Sequence, residues 1–334
     1  MEVEAGRGLV KTDRLGLTRK DKLSVDAAKL YYEGRSQVEV AELLHVSRAN
    51  VSKLLAHARD RGFVQIRVED PRERDIELIN YLKNAFELVE VRLVSPGGRR
   101  ETDLRKALGK AGAQLLKGLI RDGDTIGFSW SRTVSQVAAS LGQTDFQDIK
   151  VVQLRGNIGD PSTDLSGFES FKALRHSLNA QTYLLGYPSC FESVAAKQAV
   201  EREHVVREVL DLGIEARIAV YTVGSARPSS PLLASPLYSE DEKGKLMEEA
   251  VGDICSHFVD QNARVCLPDL NARTLSISLP DLRHKEQKVL VAGGAEKLST
   301  IYAALMNGYA NRLVVDVVTA RKLYAAHHKG LHKL

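Results

Sequence analysis

The sequence predicts an α/β protein that has a small helical domain at its N-terminus and a larger domain built on a Rossmann-like parallel sheet. Two patterns predict this organisation. Two short helical segments joined by a tight turn lie between Ser36 and Leu55, and apolar strand patterns alternate with amphipathic helix patterns after Pro71. The length of 334 residues allows one small and one large domain, and a hydrophobic content of 43% supplies a sizeable core.

The N-terminal pattern is typical of a helix-turn-helix. Ser36 and Glu39 form a capping box, in which each side chain accepts a hydrogen bond from the other residue's backbone N–H. The first helix then runs to about Leu44, and after a short turn Ser47 is a good N-cap for the second helix. Apolar residues at helical spacing turn one face of the second helix inward: Val51, Leu54, Leu55 and Ala58.

The polar residues of this motif are of the types that read DNA. Arginine bridges O6 and N7 of guanine, asparagine bridges N6 and N7 of adenine, and serine and lysine suit phosphates. The residues predicted to contact operator DNA are Gln37, Ser47, Arg48, Asn50, Ser52, Lys53 and His57. An ordinary helical hairpin with a solvated polar face is the alternative. The capping box, the short turn and the flanking elements favour the DNA-binding interpretation.

The flanking elements complete a winged helix-turn-helix. Upstream, Leu23, Ala27, Leu30 and Tyr31 share the inner face of a support helix that ends at Gly34. Downstream, residues 63–68 alternate as a short wing strand does, and its Arg67 is expected to touch a phosphate. The predicted divisions are a flexible segment 1–20, a DNA-binding domain 21–70, a connector helix 71–88 and an effector-binding domain 89–334.

The larger domain is predicted to hold a parallel sheet with helices on both faces. The expected strands are 89–94, 125–130, 149–154, 182–186, 218–223, 288–292 and 312–316. The expected helices are 102–119, 133–141, 168–178, 205–212, 241–251, 297–306 and 317–326. Ligands of such sheets bind at the carboxyl ends of the strands, near helix N-termini.

Three segments at strand ends carry candidate ligand-binding groups. In 127–133, small hydroxyl residues and Arg132 precede a helix, which suits an anion. In 153–157, Gln153 and Arg155 offer amide and guanidinium groups to sugar oxygens, and in 292–297 two glycines precede Lys297, a point charge for phosphate. Strand-to-helix turns need glycine and serine for geometry alone, so it is the three segments together that indicate a phosphorylated or polyhydroxylated ligand.

Several motifs also resemble one family, the SorC/DeoR-type bacterial sugar-responsive transcription regulators. They are Leu30-Tyr31-Tyr32-Glu33-Gly34, residues 46–52, 62–66 and 123–127, Ala250-Val251-Gly252-Asp253, residues 291–294 with Lys297, and Val315-Asp316 with Thr319-Ala320. The resemblance spans about residues 20–325. It implies an effector domain like those of sugar-phosphate isomerases and CoA transferases, control of operator binding by a phosphorylated sugar, and a homodimer or homotetramer.

The resemblance also assigns the effector pocket residue by residue. It implies that the pocket is lined by Ser129, Ser131, Arg132, Thr133, Gln153, Gly156, Gly224, Asp253, Gly293, Gly294 and Lys297. The family commonly has glycine where this chain has Ser131, and a second glycine where it has Asn157. Both side chains are expected to narrow the approach of a phosphate or sugar.

The sequence therefore predicts a cytoplasmic transcription regulator, either a repressor or an activator, that is not an enzyme and carries no cofactor or metal. The net charge of +4 is too small for a general polycation, and Cys190, Cys255 and Cys266 have no metal or redox spacing. The chain has no apolar run of about 18 residues, so no membrane partner is expected. The tail from His327 is expected to be solvated.

Two other functions stay open at this point. One is an enzyme of sugar-phosphate metabolism with an accessory DNA-binding segment, although no carboxylate pair or Cys/His constellation stands at the three strand ends. The other is a DNA-binding assembly protein whose sensor domain has lost its ligand. Turnover assays on sugar phosphates separate the enzyme from the regulator, and a ligand-dependent melting shift separates a working sensor from an inactive one.

Overall fold

The computed structural model describes residues 16–64, 71–159 and 161–329. The chain forms two compact units, Met1–Asp70 and Pro71–Leu334. The boundary follows the predicted end of the DNA-binding domain at residue 70. Of the predicted flexible segment, residues 1–15 lie outside the described residues, and Arg19 and Lys20 already belong to the first helix.

The first unit is the predicted three-helix arrangement: α1 (Arg19–Tyr32), α2 (Gln37–Leu43) and α3 (Arg48–Asp60). Each helix begins at the cap that local chemistry favours. Thr18 and Asp21 form a capping box on α1, Ser36 and Glu39 form the predicted one on α2, and the Ser47 hydroxyl accepts from the Asn50 N–H. The capping predictions at α2 and α3 are thus confirmed.

The three helices enclose a small apolar core. Its buried residues are Ala27, Ala28, Val40, Ala41, Val51, Leu54, Leu55 and Ala58. All four predicted inward positions of α3 are among them, whereas Leu43 at the end of α2 is exposed. Phe63 and Val64 pack against this core, and the rest of the predicted wing, with Arg67, lies outside the described residues.

The second unit has, among its described residues, a seven-stranded sheet whose paired strands all run parallel. In sheet order the strands are β1 (Glu90–Val94), β9 (Arg312–Asp316), β8 (Gln287–Val291), β5 (Ile218–Tyr221), β2 (Thr125–Phe128), β3 (Lys150–Gln153) and β4 (Gln181–Tyr183). Each overlaps one of the seven predicted segments, although β4 and β8 begin one residue earlier than predicted. A separate two-stranded hairpin is formed by β6 (Gly252–Ile254) and β7 (His257–Val259).

Helices connect these strands. They are α4 (Pro71–Ala85), α5 (Glu101–Lys117), α6 (Arg132–Ser140), α7 (Pro161–Leu178), α8 (Val194–Glu201), α9 (His204–Glu215), α10 (Glu240–Glu249), α11 (Pro268–Ala272), α12 (Leu279–His284), α13 (Leu298–Met306) and α14 (Val317–His328). The sequence patterns predict α5, α6, α7, α9, α10, α13 and α14, with shifted ends. They miss α8, α11, α12 and the β6–β7 hairpin, because these elements are too short to show a period.

The sheet is buried on both faces, as a parallel sheet requires. Strand β5 is buried at all four positions, and its side chains alternate between two apolar clusters. Ile218 and Val220 belong to the cluster that includes residues of α5, α6 and α7. Ala219 and Tyr221 belong to the other, which includes residues of α4, α9, α13 and α14. This packing fixes the carboxyl ends of the central strands as one rigid edge.

The predicted connector helix is part of the second unit. Among residues 75–85 of α4, Leu78 and Leu82 are buried and Ile76 is exposed, and Phe86 is buried just after the helix. The Tyr81 hydroxyl lies 2.9 Å from Nδ1 of His327, which is the next-to-last residue of α14. The expectation of a solvated tail is therefore wrong for His327, because α4 and α14 pack against each other. Residues 330–334 lie outside the described residues.

Candidate DNA-binding surface and ligand cleft

The exposed side of the helix-turn-helix carries most of the predicted DNA-contacting residues. Arg48, Asn50, Ser52 and Lys53 are exposed on α3, and Gln37 is partly exposed at the start of α2. Ser47 is exposed too, but its hydroxyl is the cap of α3, 3.2 Å from the Asn50 N–H that it accepts. The structure therefore presents Arg48 and Asn50 in the first turn of α3, where a recognition helix reaches base edges.

His57 does not share this exposed surface. Its Nε2 lies 2.8 Å from Oδ1 of Asp21, a buried residue of α1. The helical pattern leaves His57 at the margin of the inner face, and the carboxylate on α1 draws the imidazole toward the support helix. The predicted outward orientation of His57 is thus corrected.

A cleft lined by charged groups lies in the second unit, at the carboxyl ends of the central strands. It encloses about 810 Å³, part of it open to solvent, which is within the usual range of small-molecule sites, roughly 300–1,000 Å³. The lining comes from the first turns of α5 and α6, from the segments after β2, β3, β5 and β8, from the loop 229–232 and from β6. This is the position that the parallel-sheet topology predicts for a ligand.

Eight of the predicted effector-binding residues meet in this cleft. They are Ser129, Ser131, Arg132, Thr133, Arg155, Gly224, Asp253 and Lys297. Four others do not line it: Gln153, Gly156, Gly293 and Gly294. Each of these four residues instead has a structural role in hydrogen bonding or backbone packing.

Gln153 and Gly156 support the strand ends. The Gln153 amide donates to the Arg155 carbonyl at 2.7 Å and to Asn157 Oδ1 at 3.1 Å, and its Oε1 accepts from the Leu185 N–H at 3.0 Å. A Cβ on Gly156 would lie 2.6 Å from the Pro188 carbonyl carbon, so glycine is needed for this close backbone approach. Asn157 belongs to the same network and does not line the cleft, which contradicts its predicted narrowing of the sugar approach.

The paired glycines after β8 pack on α14. The Gly294 N–H donates to Asp316 Oδ2 and to Thr319 Oγ1, both at 3.0 Å. A Cβ on Gly293 would lie 2.4 Å from Asp316 Oδ2. The turn therefore does not offer its Gly294 amide to a ligand. It instead directs the chain into the one-turn 3-10 helix Ala295–Lys297, which places Lys297 in the cleft.

The ammonium group of Lys297 lies in an environment that disfavours its charge. Its Nζ lies 3.5 Å from the Thr222 hydroxyl. Burial lowers the pKa of Lys297 to about 8; Asp253 and Glu101 act against this decrease, whereas Arg132 and Arg105 add to it. An anion in the cleft would relieve the repulsion among these cations.

Asp253 is the buried carboxylate of the cleft, with 8% of the residue exposed. Burial raises the pKa of Asp253, although Arg155, the Ser256 N–H and Lys297 favour the ionised form. A Cβ on Gly224 would lie 1.9 Å from Asp253 Oδ1, so only glycine lets the carboxylate sit here. The Ser256 N–H donates to Oδ2 at 3.0 Å from the two-residue turn of the β6–β7 hairpin.

Arg155 forms the floor of the cleft. Its Nε and Nη2 donate to the Trp130 carbonyl at 3.1 and 2.6 Å, and its Nη1 donates to Ser256 Oγ at 2.9 Å. The guanidinium therefore joins the segment after β2 to the β6–β7 hairpin while it contributes positive charge near Asp253. Ser131 is likewise structural in part, since its hydroxyl accepts from the Val134 N–H and caps α6.

Sequence reasoning missed several lining residues. Glu101 and Arg105 come from the first turn of α5, Thr222 and Ser225 follow β5, and residues 229–232 form a loop. The rule that neighbouring parallel strands end at one edge could have indicated Glu101, because α5 follows β1 at that edge. The loop carries no comparable signal. With these residues the lining holds four cationic and three anionic side chains.

Other kinds of site find no support in the described parts of the chain. No group of three His, Cys, Asp or Glu residues there could hold a metal ion. The three cysteines are buried and free. No described helix is long and apolar enough to cross a membrane.

Comparisons with known proteins agree with this two-unit organisation. The family described as "Putative sugar-binding domain" matches residues 70–325. The deoxyribonucleoside regulator of Bacillus subtilis is 36% identical over 305 residues, covering 91% of this chain and 97% of the relative. The sorbitol operon regulator of Klebsiella pneumoniae is 29% identical over 309 residues, covering 90% and 97%.

Solved structures extend the match to the whole fold. The crystal structure of the full-length sorbitol operon regulator SorC from Klebsiella pneumoniae superposes with a TM-score of 0.67 at 27% identity, covering 94% of this chain and 99% of that one. The chain belongs to the SorC/DeoR-type sugar-binding transcription regulators, in which a sugar controls transcription.

Proposed function

We propose that the effector is a phosphorylated sugar, that it binds in the cleft of the second unit, and that it controls binding of operator DNA by α3. The observation that carries the proposal is the placement of Lys297 and Arg132 beside the N-terminus of α6 and the buried Asp253. These groups suit the two halves of a sugar phosphate, which are an anion and a set of hydroxyls.

The cationic side of the cleft suits the phosphate. The first N–H groups of an α-helix have no acceptor within the helix, and the first two of α6 belong to Arg132 and Thr133, which line the cleft. Arg132 and Lys297 add charge-assisted hydrogen bonds. A phosphate dianion would also favour the charged form of Lys297, whose pKa burial lowers to about 8.

The polar side of the cleft suits sugar hydroxyls. A carboxylate accepts hydrogen bonds only, so an ionised Asp253 would accept from two hydroxyl groups of a sugar. Ser129 and Thr222 line the same region and can both donate and accept. The buried position of Asp253 makes such bonds strong, because water competes poorly there.

Operator control requires that the ligand favours one arrangement of the protein over another. We propose a homodimer or homotetramer that acts in the cytoplasm as a repressor, with paired reading helices about 34 Å apart on successive turns of DNA. Of the predicted contacts, we retain Gln37, Arg48, Asn50, Ser52 and Lys53 as DNA-facing residues.

The DNA contacts can be tested separately from the effector. Arg48→Ala or Asn50→Ala should reduce operator affinity by about 1–3 kcal/mol and relax sequence discrimination, because each removes a base-edge contact. Lys53→Ala should weaken binding to selected and shuffled duplexes alike. Footprinting that shows normal selectivity in both Arg48→Ala and Asn50→Ala would contradict the assignment of α3.

We further propose that the cleft binds its ligand without turnover. The relatives compared above are transcription regulators. Proton transfer by an enzyme needs an acid and a base in the cleft, and the candidates are Asp253, whose pKa is raised, and Lys297, whose pKa is lowered. The test is a turnover assay on sugar phosphates. If wild-type protein forms product and Asp253→Asn does not, the chain is an enzyme and this proposal is wrong.

The test of the effector is a melting screen followed by calorimetry. The panel pairs each free sugar with its phosphate and includes deoxyribose and sorbitol, since the relatives are named for deoxyribonucleosides and sorbitol. A phosphorylated member should raise the melting temperature and bind at least ten-fold more tightly than its unphosphorylated partner, by about 1.4 kcal/mol or more. Equal affinities for a sugar and for its phosphate would contradict a phosphate site.

A further inference from the structure

A buried carboxylate joins the support helix to the reading helix in the first unit. Asp21 is the third residue of α1 and is only 2% exposed. Its Oδ2 accepts from the Thr18 N–H at 2.9 Å and from the Thr18 hydroxyl at 2.8 Å. The first of these bonds belongs to the capping box of α1, whose other half is the Asp21 N–H donating to Thr18 Oγ1, and an exposed carboxylate would suffice to make both bonds with Thr18.

The other oxygen of Asp21 is used for α3. Oδ1 lies 2.8 Å from Nε2 of His57 and accepts from Nε of Arg61 at 3.2 Å. His57 and Arg61 are four residues apart, so they lie one above the other along the same side of the helix. The carboxylate therefore contacts α3 at two successive turns, which constrains both the position and the rotation of α3 on α1.

The contact continues toward the segment that follows α3. The Arg61 guanidinium lies over the Phe63 ring, 5.6 Å from its centre. Phe63 itself packs against the core of the first unit. One carboxylate thus connects the start of α1, the second half of α3 and the first residues beyond it.

The hydrogen bonds of Asp21 are strong enough to keep it ionised. Bonds from the Thr18 backbone and hydroxyl, then from His57, hold the pKa of Asp21 well below its usual range, and the charge of Arg61 acts in the same direction. Both oxygens are occupied and the residue is buried, so Asp21 has no surface with which to touch DNA.

We propose that Asp21 is a positioning residue for operator recognition: through His57 and Arg61 it sets the rotation of α3, and thereby the direction in which the first turn of α3 presents its side chains. The proposal rests on DNA reading by α3. Rotation matters more for base edges than for phosphates, because bidentate base contacts tolerate little misplacement whereas charge attraction tolerates much. Loss of Asp21 should therefore reduce selectivity more than general DNA affinity.

The first experiment compares Asp21→Asn with Asp26→Asn in the full-length protein. Asp26 is an exposed acid on the same helix, so its variant removes the same charge without breaking a contact between helices. The probes are a duplex that wild-type protein enriches from a random-sequence library and a shuffled duplex of the same composition. Asp21→Asn should bind the enriched duplex at least ten-fold more weakly and the shuffled duplex within about two-fold, by the usual size of base and phosphate effects. Asp26→Asn should keep the wild-type ratio.

The second experiment separates positioning from a direct DNA contact by His57. His57→Ala is measured alone and in the Asp21→Asn background. If His57 acts through Asp21, its substitution reduces selectivity in the wild-type background and changes it little in the Asp21→Asn background. An equal loss in both backgrounds means that His57 touches DNA directly, and it overturns the proposal.

The remaining outcomes are also decisive. A normal ratio of enriched to shuffled affinity in Asp21→Asn overturns the proposal. If that variant loses both affinities because the first unit fails to fold, the decision passes to His57→Ala, which leaves the Arg61 contact in place. Full selectivity in His57→Ala then overturns the proposal, and a loss of a few-fold with unchanged shuffled-duplex binding supports it. Normal selectivity in Arg48→Ala and Asn50→Ala would instead contradict DNA reading by α3 itself.

Discussion

The two units each bury a carboxylate, and they treat it in opposite ways. Asp21 accepts four hydrogen bonds, and these bonds lower its pKa. Asp253 accepts one from the Ser256 N–H, its other oxygen lies against Gly224 at the cleft, and burial raises its pKa. A carboxylate whose partners are all supplied by the protein holds helices together. One that lacks such partners, at a cleft lined by cations, is suited to receive them from a ligand.

The largest expected effect follows from removing the charge of Asp253. Asp253→Asn keeps the shape of the side chain but replaces a charged acceptor that would serve two sugar hydroxyls. Effector affinity measured by calorimetry should fall by about 100-fold, since hydrogen bonds to charged groups contribute roughly 1.5–3 kcal/mol each. The matched control is Asp269→Asn, an exposed acid on α11, which should bind normally.

The melting temperature of Asp253→Asn tests whether Asp253, unlike Asp21, contributes nothing to the stability of the fold. The raised pKa of Asp253 means that its ionised form is unfavourable in the unliganded fold. Unliganded Asp253→Asn should therefore melt at the wild-type temperature or above. A marked decrease in melting temperature together with normal effector affinity would show that Asp253, like Asp21, serves the fold.

The next effect concerns the cation that faces Asp253. Lys297→Ala removes a charge-assisted hydrogen bond to phosphate and should weaken a sugar phosphate ten-fold or more, by about 1.5–3 kcal/mol. The unphosphorylated sugar should lose much less, and operator binding should stay normal. Lys245→Ala, at an exposed position of α10, is the control. Equal affinity of wild type and Lys297→Ala for the phosphate would mean that the phosphate lies elsewhere.

A smaller effect is expected from pH, because the ammonium of Lys297 titrates near neutrality. Its pKa is lowered to about 8, below that of a free lysine, so the unliganded cleft loses this charge as pH rises through 8. Affinity for a sugar phosphate should then fall by up to about ten-fold between pH 7 and pH 9, one pKa unit on each side of 8. The decrease should be absent in Lys297→Ala. A flat profile in wild-type protein would contradict a contact between Lys297 and phosphate.

The contrast also explains how much the sequence could predict. All seven strands of the sheet overlap predicted segments, since buried strands and amphipathic helices leave strong periodic patterns. The rule that ligands bind at carboxyl ends of parallel strands indicated the cleft and Lys297, whereas Asp253 was assigned to the cleft by the family resemblance. Local chemistry likewise predicted the caps at Ser36 and Ser47.

The sequence failed where a residue's role depends on a partner far along the chain. Gly293 and Gly294 look like a phosphate-binding turn. However, the Gly294 N–H that would bind a phosphate donates instead to the side chains of Asp316 and Thr319. His57 looks like a DNA contact until Asp21, 36 positions earlier, is placed beside it. Such pairings are set by tertiary packing, and no local period or spacing records them. The likeness of the larger unit to isomerase and CoA-transferase folds stays a prediction.

The smallest expected effect is in acid, where the two carboxylates should separate. Asp21 has a lowered pKa, so its contribution to the first unit is fully present above the ordinary aspartate value near 4 and is lost only as pH falls below it. Either charge state of His57 can keep an N–H toward Asp21. Between pH 7 and pH 5 the ratio of enriched to shuffled duplex affinity should therefore change by less than about two-fold, on the same linkage argument.

Asp253 has a raised pKa and gains a proton at higher pH than an ordinary aspartate, so effector affinity should begin to weaken in acid before selectivity does. Parallel titrations of duplex selectivity and effector affinity on one protein sample would decide, and selectivity that fails first would reverse the roles assigned to Asp21 and Asp253.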